Sequence, residues 1–242
     1  MPRVSELLAA WEAGLAAGET RRALLLHALA RPDASVEELL AVPVGERDAD
    51  LFALRGVLFG PRLDVRLACA ECAEEMEFDL DVAALVAAGR PDPGPHRVEA
   101  GPWAVRFRLP TAGDLAAVTE AAAEADPRLA LLGRCVLEAT RDGAAVDVAG
   151  LPAEVTERLA AKAAEVDPGA DITLNVPCPE CGHATKAELD IATYLWAELD
   201  AWARATLLDV HLLASAYGWS EPEILALSPV RRRYYLELLG DA

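Results

Sequence analysis

Two segments of the sequence share one pattern: Leu63-Asp-Val-Arg-Leu-Ala-Cys-Ala-Glu-Cys72 and Ile172-Thr-Leu-Asn-Val-Pro-Cys-Pro-Glu-Cys181. In each, apolar residues alternate with other residues up to a Cys-x-x-Cys motif, and a second strand-like stretch follows. Alternation with a period of two is typical of a half-buried β-strand. Eight residues after each motif the sequences agree again, as Leu80-Asp-Val-Ala83 and Leu189-Asp-Ile-Ala192. The sequence therefore predicts a duplicated unit of strand, Cys-x-x-Cys knuckle and strand.

Two such units around one metal ion predict a zinc ribbon with the ligands Cys69, Cys72, Cys178 and Cys181. The turn in each motif brings two sulfurs to one side, and four thiolates give Zn²⁺ a closed tetrahedral shell. Because no ligand position stays open, we expect one structural zinc ion. A redox dithiol, disulfides and unliganded thiols are the alternatives, and His183 is an alternative ligand beside the second motif.

The charge and the cysteine content limit the function classes. The 242 residues carry a net charge of −18, which argues against nucleic-acid binding and against docking on anionic membranes. A signal peptide and an apolar run of membrane-spanning length are not apparent, so we expect a cytoplasmic protein. In a reducing compartment, five cysteines indicate metal binding or free thiols before disulfides. The fifth, Cys135, is expected to be a small buried residue.

The rest of the chain has helical periodicity with well-marked ends. The predicted fold class is α+β, mainly helical, with a small split zinc-ribbon β module. We expect four regions: an N-terminal helical region over 1–60, the discontinuous zinc-ribbon module over 61–82 and 171–191, an inserted hairpin-plus-helices region over 83–170, and a C-terminal helical tail over 192–242.

Local patterns predict the elements of the inserted region. A hairpin over 98–109 bends at Gly101-Pro102, where turn residues interrupt two apolar runs. Helices are predicted over four ranges: 82–88, 111–125, 128–139 and 152–166. The ends of this insert must lie close together if the two knuckles share one ion.

The sequence contains no enzyme motif with the required residues and spacing. His27, His96 and His211 are scattered, and the carboxylates show no pairing beyond that of an acidic surface. We therefore expect no enzymatic activity and no small-molecule substrate.

The C-terminal tail carries the one basic cluster, Arg231-Arg-Arg233, next to two tyrosines. Arginine and tyrosine are enriched at protein interfaces, so this helix is a candidate partner surface. The alternative is that its aromatic and apolar residues pack on the protein's own core. The candidate partner-binding residues are Trp219, Ile224, Arg231, Arg232, Tyr234 and Tyr235.

The stretch Glu198 to Leu239 resembles the baseplate hub assembly chaperone family of T-even-like contractile phage tails and bacterial contractile injection systems. The segments that carry the resemblance are Val210-His-Leu-Leu-Ala214, Tyr217-Gly-Trp-Ser-Glu221, Ile224-Leu-Ala-Leu227 and Arg231-Arg-Arg-Tyr-Tyr-Leu236. A looser similarity includes Pro43-Val-Gly-Glu-Arg-Asp48, Phe59-Gly-Pro-Arg62, both knuckles, and Leu109-Pro-Thr111 with Asp114.

The resemblance implies a non-enzymatic role in assembling the hub, with baseplate or hub proteins as partners. Two alternatives stay open. One is a zinc-ribbon regulatory protein that binds nucleic acid or a polymerase, against which the net charge of −18 speaks. The other is a permanent structural component of the baseplate, which would be present in mature particles.

Overall fold

The computed structural model describes residues 2–83, 91–121 and 126–240. It confirms an α+β fold that is mainly helical and contains small antiparallel sheets. Within these ranges, none of the helices has both the length and the apolar character needed to cross a membrane.

Four helices open the chain, as their periodicity predicts: α1 (Val4–Gly14), α2 (Glu19–Ala30), α3 (Val36–Ala41) and α4 (Val44–Phe59). Ser35 caps α3, because its hydroxyl accepts a bond of 3.2 Å from the Glu38 N–H while its own N–H donates to the Glu38 carboxylate over 2.7 Å. This reciprocal pair satisfies two backbone donors that the first helical turn leaves free.

Each Cys-x-x-Cys motif lies between two antiparallel strands, as predicted. Strand β1 (Arg62–Ala68) pairs with β2 (Glu75–Asp81). Strand β7 (Thr173–Pro177) pairs with β8 (Ala184–Glu188). The two hairpins are separate two-stranded sheets that meet at the knuckles.

The inserted region forms a four-stranded sheet with helices beside it. Its strands are β3 (His96–Ala100), β4 (Trp103–Phe107), β5 (Val136–Arg141) and β6 (Ala144–Ala145), hydrogen-bonded in that order. Its helices are α5 (Ala112–Ala121), α6 (Pro127–Cys135), the 3₁₀ turn Val148–Gly150 and α7 (Ala153–Val166). The predicted hairpin bends at Gly101, which has a φ of 59°. The helix predicted over 82–88 lies outside the described residues beyond Ala83, as does the predicted helix over 111–125 beyond Ala121.

The helix predicted over 128–139 is corrected by the structure. Helix α6 ends at Cys135, and residues 136–141 form β5 against β4. Strand β4 would otherwise leave one row of backbone N–H and C=O groups unpaired. The β-branched residues Val136 and Thr140 also fit a strand, so the sheet overrides the helical periodicity.

Three helices lie where the helical tail is predicted: α8 (Ile191–Tyr217), α9 (Glu221–Leu225) and α10 (Pro229–Gly240). The first half of α8 packs into the main core together with α1, α2 and α4. The side chains of Leu51, Phe52, Leu63, Leu195 and Leu199 are at most 2% exposed there. Helix α8, which follows the second knuckle, thus packs into the same core as the helices that precede the first knuckle.

Candidate metal centre

Each Cys-x-x-Cys motif forms the same tight turn at the end of its hairpin. In the first turn, the N–H of Cys69 donates to the carbonyl of Glu74 over 2.8 Å, and the N–H of Ala73 donates to the carbonyl of Cys69 over 3.0 Å. The second turn repeats both bonds from Cys178 and Gly182, at 2.8 and 2.9 Å. The two knuckles are therefore conformational copies, as their repeated sequence predicts.

The structure brings all four predicted cysteine ligands together. The sulfurs of Cys69 and Cys181 lie 3.6 Å apart, as do those of Cys72 and Cys178. All four sulfurs lie within 4.8 Å of one another. A tetrahedral zinc ion with Zn–S bonds of about 2.3 Å places its sulfurs about 3.8 Å apart. The spacing and the donor type therefore fit Zn²⁺ held by four thiolates.

An apolar layer supports the inner side of the cluster. Cys69 and Cys178 are each 3% exposed, whereas Cys72 and Cys181 face the solvent. Met76 is buried against the two inner cysteines, and Leu67 and Val176 pack beside it. The inner ligands are thus held by packing from both hairpins.

One hydrogen bond crosses directly between the two knuckles. The backbone N–H of Ala70 donates to Thr185 Oγ1 over 3.2 Å, and Thr185 is buried. The position equivalent to Ala70 in the second knuckle is Pro179, which has no N–H to donate. The position equivalent to Thr185 in the first unit is the apolar Met76. The duplicated units thus differ at the two positions that form this bond: the donor N–H is in the first unit, and the acceptor hydroxyl is in the second.

The backbone prepares one thiol for ionisation. The N–H groups of Cys72 and Glu71 donate to the Cys69 sulfur, and they lower the pKa of that thiol to about 6. The Glu74 N–H likewise favours the Cys72 thiolate, but the neighbouring Cys181 sulfur and the loss of hydration raise the pKa of Cys72 to about 12. A central cation would displace the proton that the Cys72 thiol retains, because metal ligands bind as thiolates.

The remaining metal-related residues lie outside the four-sulfur cluster. His183 is exposed, and the group of possible metal ligands among the described residues contains cysteines alone. Cys135 is 7% exposed at the end of α6, and burial raises the pKa of its thiol to about 11. Cys135 therefore has the character of a small buried apolar residue, as expected.

The comparison with known protein families bears on residues 24–194. This range matches the family described as T4 bacteriophage base plate protein, and it covers 171 of the 242 residues. The chain belongs to this baseplate family. The comparisons with curated proteins and with solved structures found no match.

The family match includes both knuckles of the baseplate protein and half of the buried residues of its main core. It ends at residue 194, within the first turns of α8. The C-terminal motifs that resemble the hub assembly chaperones lie beyond that point. The baseplate resemblance is confirmed, and the hub assembly subtype stays a prediction.

The candidate partner-binding residues divide between the interior and the surface of the baseplate protein. Ile224 is fully buried, and Arg232 is 6% exposed with its Nε 4.0 Å from the Asp209 carboxylate. Trp219 and Tyr235 are half-buried and pack edge to face, with centroids 4.9 Å apart. The two that present most surface are Arg231 and Tyr234, both on α10.

One buried ionic cluster was not predicted from the sequence. The Asp114 carboxylate is 2% exposed and accepts bonds from Arg108, Arg134 and the Thr111 hydroxyl. In the sequence, Thr111 and Asp114 have the spacing of a local helix cap, which does not reveal the two arginines. The two arginines come from the end of β4 and from α6, and together they hold the pKa of Asp114 well below its usual range despite burial.

Proposed function

We propose that this baseplate-family protein is a non-enzymatic assembly chaperone, or baseplate-associated protein, for the hub of a contractile phage tail or injection system. We further propose that one structural zinc ion stabilises it. Its expected partners are hub or baseplate proteins, which it would bind in the cytoplasm. Membership of the baseplate family supports a role in the baseplate. The resemblance of the C-terminal motifs to hub assembly chaperones supports the hub as the partner.

The observation that carries the proposed zinc ion is the four-cysteine cluster. It joins residues 69–72 to residues 178–181, and the ends of the 105 residues between the motifs meet there. Closing a loop of that length costs about 4 kcal/mol in chain entropy. Structural zinc contributes about 10–16 kcal/mol in small zinc-finger peptides, which exceeds that cost. A bound ion would thus fix the insert relative to the main helical core.

The ligand set also supports a role without catalysis. Cys69, Cys72, Cys178 and Cys181 would fill all four positions of a tetrahedral ion, so water and substrate would have no place on it. When bound, zinc would supply charge neutralisation and a cross-link. The chain's own residues would then provide rigid surfaces for partner proteins.

Co-expression with the hub and baseplate proteins of one contractile system, followed by affinity purification, tests the proposed partners. We expect a stable complex with a hub component from the intact protein. A Cys135→Ser variant, altered outside the cluster, should retain the complex, whereas Cys178→Ser should lose it together with the metal. Absence of every hub and baseplate component from the intact protein's complexes would refute the proposal.

The assembly role and the permanent baseplate role predict different amounts of this protein in the mature particle. A chaperone is present in assembly intermediates and absent from purified particles. A structural component is retained at fixed stoichiometry. Quantitative mass spectrometry of both fractions therefore distinguishes the two forms of the proposal.

A further inference from the structure

The four clustered cysteines divide into two inner and two outer thiols, one of each in either knuckle. Cys69 and Cys178 are buried, whereas Cys72 and Cys181 are exposed to solvent. Each outer sulfur lies 3.6 Å from the inner sulfur of the opposite knuckle, Cys72 beside Cys178 and Cys181 beside Cys69. An oxidant from the solvent would thus meet an outer sulfur whose inner neighbour belongs to the other half of the chain.

A small movement separates these sulfur contacts from covalent bonds. A disulfide has an S–S distance of about 2.05 Å, so the sulfurs of each pair would have to approach by about 1.5 Å. The knuckles belong to separate two-stranded sheets, and the bond from Ala70 to Thr185 is the hydrogen bond that joins them besides the sulfur contacts within the described residues. The two hairpins are therefore able to move towards each other without breaking a shared sheet.

We propose that hydrogen peroxide converts the metal centre into two disulfides between the knuckles, Cys69–Cys181 and Cys72–Cys178. The reduced form is the zinc site of the proposed function, on which this step rests. The four cysteines would then hold the two halves of the module together in two forms. One form consists of thiolates around a metal ion, and the other of disulfides without it.

Each disulfide forms in two steps that consume one peroxide. The outer thiolate attacks a peroxide oxygen, the O–O bond breaks and hydroxide leaves, which yields a sulfenic acid. The inner thiolate of the opposite knuckle then attacks that sulfur, the S–S bond forms, and the S–O bond breaks with loss of a second hydroxide. The two sulfurs lose two electrons and the peroxide gains them. Two peroxides therefore oxidise all four cysteines, and the metal is released because it binds thiolates.

The oxidised form would keep the cross-link that the reduced form makes through the metal. Both expected disulfides join residues more than a hundred positions apart, so each removes many conformations of the unfolded chain. A disulfide within one Cys-x-x-Cys motif would instead leave the two knuckles unconnected. The oxidised form would matter outside a reducing compartment, where disulfides persist.

Peroxide titration of the zinc-loaded, full-length Cys135→Ser variant tests the reaction. This background removes the fifth thiol, so every disulfide must come from the four clustered cysteines. Elemental analysis measures the zinc before the titration, and a chromogenic chelator follows its release. We expect about two peroxides to be consumed for each zinc released, with loss of all four thiols. Dithiothreitol should restore the thiols in full.

Digestion of the oxidised protein without reduction identifies the pairing. Trypsin leaves each motif in one peptide, 67–97 and 163–186, so disulfides between the knuckles join these two peptides. Cleavage after Glu71 and Glu180 then separates the two cysteines of each motif. The resulting fragments distinguish the expected pairing of inner with outer cysteines from a pairing of inner with inner.

The oxidised, metal-free protein should unfold about 10 °C above the same protein stripped of metal by a chelator and kept reduced. Disulfides within the motifs, inner-with-inner pairing, bridges between two chains, or sulfinic acids without disulfides would each overturn the proposed reaction and leave the proposed zinc ion untouched. A protein that contains no zinc but forms both expected disulfides would refute the zinc ion and support the pairing.

Discussion

The carboxylate of Asp167 accepts a hydrogen bond of 3.1 Å from the backbone N–H of Gly45, 122 residues earlier in the chain. Asp167 follows the last residue of α7, and Gly45 lies in the first turn of α4. The first four N–H groups of a helix lack partners within it, and a negative charge is favoured there. The end of the inserted region thus caps a helix of the main core.

Gly45→Ala should destabilise the protein by about 2 kcal/mol, as overpacking of a filled site commonly does. A Cβ at this position would overlap Asp167 Oδ1 and would lie 2.9 Å from the backbone nitrogen of Ala170. Gly56→Ala in the same helix is the control, since its Cβ would meet only Val82 Cγ1 at 3.8 Å. We expect the control to stabilise by about 0.5–1 kcal/mol. Urea unfolding of both variants measures this, and equal effects would contradict the close approach.

The Asp114 cluster should make stability depend on acid pH. Its two arginines lower the pKa of Asp114 in the folded state, so the stabilisation is complete above the unfolded pKa of about 3.9. It is lost as the pH falls through the lower folded value. Asp114→Asn should cost about 3 kcal/mol near neutral pH and should flatten the decline in unfolding free energy below pH 4. An unchanged acid slope in this variant would count against the cluster.

Exchanging alanine and glycine at the equivalent positions Ala73 and Gly182 should change the stability of the protein in opposite directions. Ala73 has a φ of 60° and its counterpart Gly182 a φ of 74°. A left-handed conformation costs a residue with a Cβ about 1–2 kcal/mol. Ala73→Gly should therefore stabilise the metal-bound protein by about 0.5 kcal/mol, after the larger entropy loss of glycine, and Gly182→Ala should destabilise it by about 1 kcal/mol. Thermal unfolding of the pair decides this, and the same sign for both would contradict the matched geometry.

Thr185→Val should weaken the contact between the knuckles. The substitution keeps the shape of the side chain but leaves the Ala70 N–H without its protein acceptor, at a cost of about 0.5–1.5 kcal/mol because Ala70 is exposed to water. Thr173→Val is the control, because Thr173 is exposed on the neighbouring strand of the same hairpin. Competition with a chelator should show faster metal loss from Thr185→Val than from the control. Equal loss rates would mean that the cross-knuckle bond does not support the site.

Local patterns were enough to predict the duplicated units and the helices around them. The period of two before each cysteine pair, and the cap formed by Ser35 and Glu38, are encoded within a few residues. The α+β class and the meeting of the four cysteines followed from the repeated flanks. The repeated flanks thus identify the four candidate ligands from the sequence, although more than a hundred residues separate the two motifs.

Features that depend on distant residues had no such signal. Helical periodicity over 128–139 could not reveal that β4 needs a partner, so β5 was missed. No local pattern links Asp167 to Gly45, because their contact joins residues that are 122 positions apart. The arginines around Asp114 are likewise brought in by the sheet and by α6. In each case tertiary packing decides the role of an ordinary residue.

Elemental analysis of the purified protein tests the central claim, the zinc cross-link, most directly. We predict about one zinc per chain in the intact protein and in Cys135→Ser, and none in Cys178→Ser, which should also unfold at a lower temperature. The zinc cross-link would be contradicted by a folded, metal-free protein with four free thiols at Cys69, Cys72, Cys178 and Cys181. In that case Cys178→Ser would be as stable as the parent.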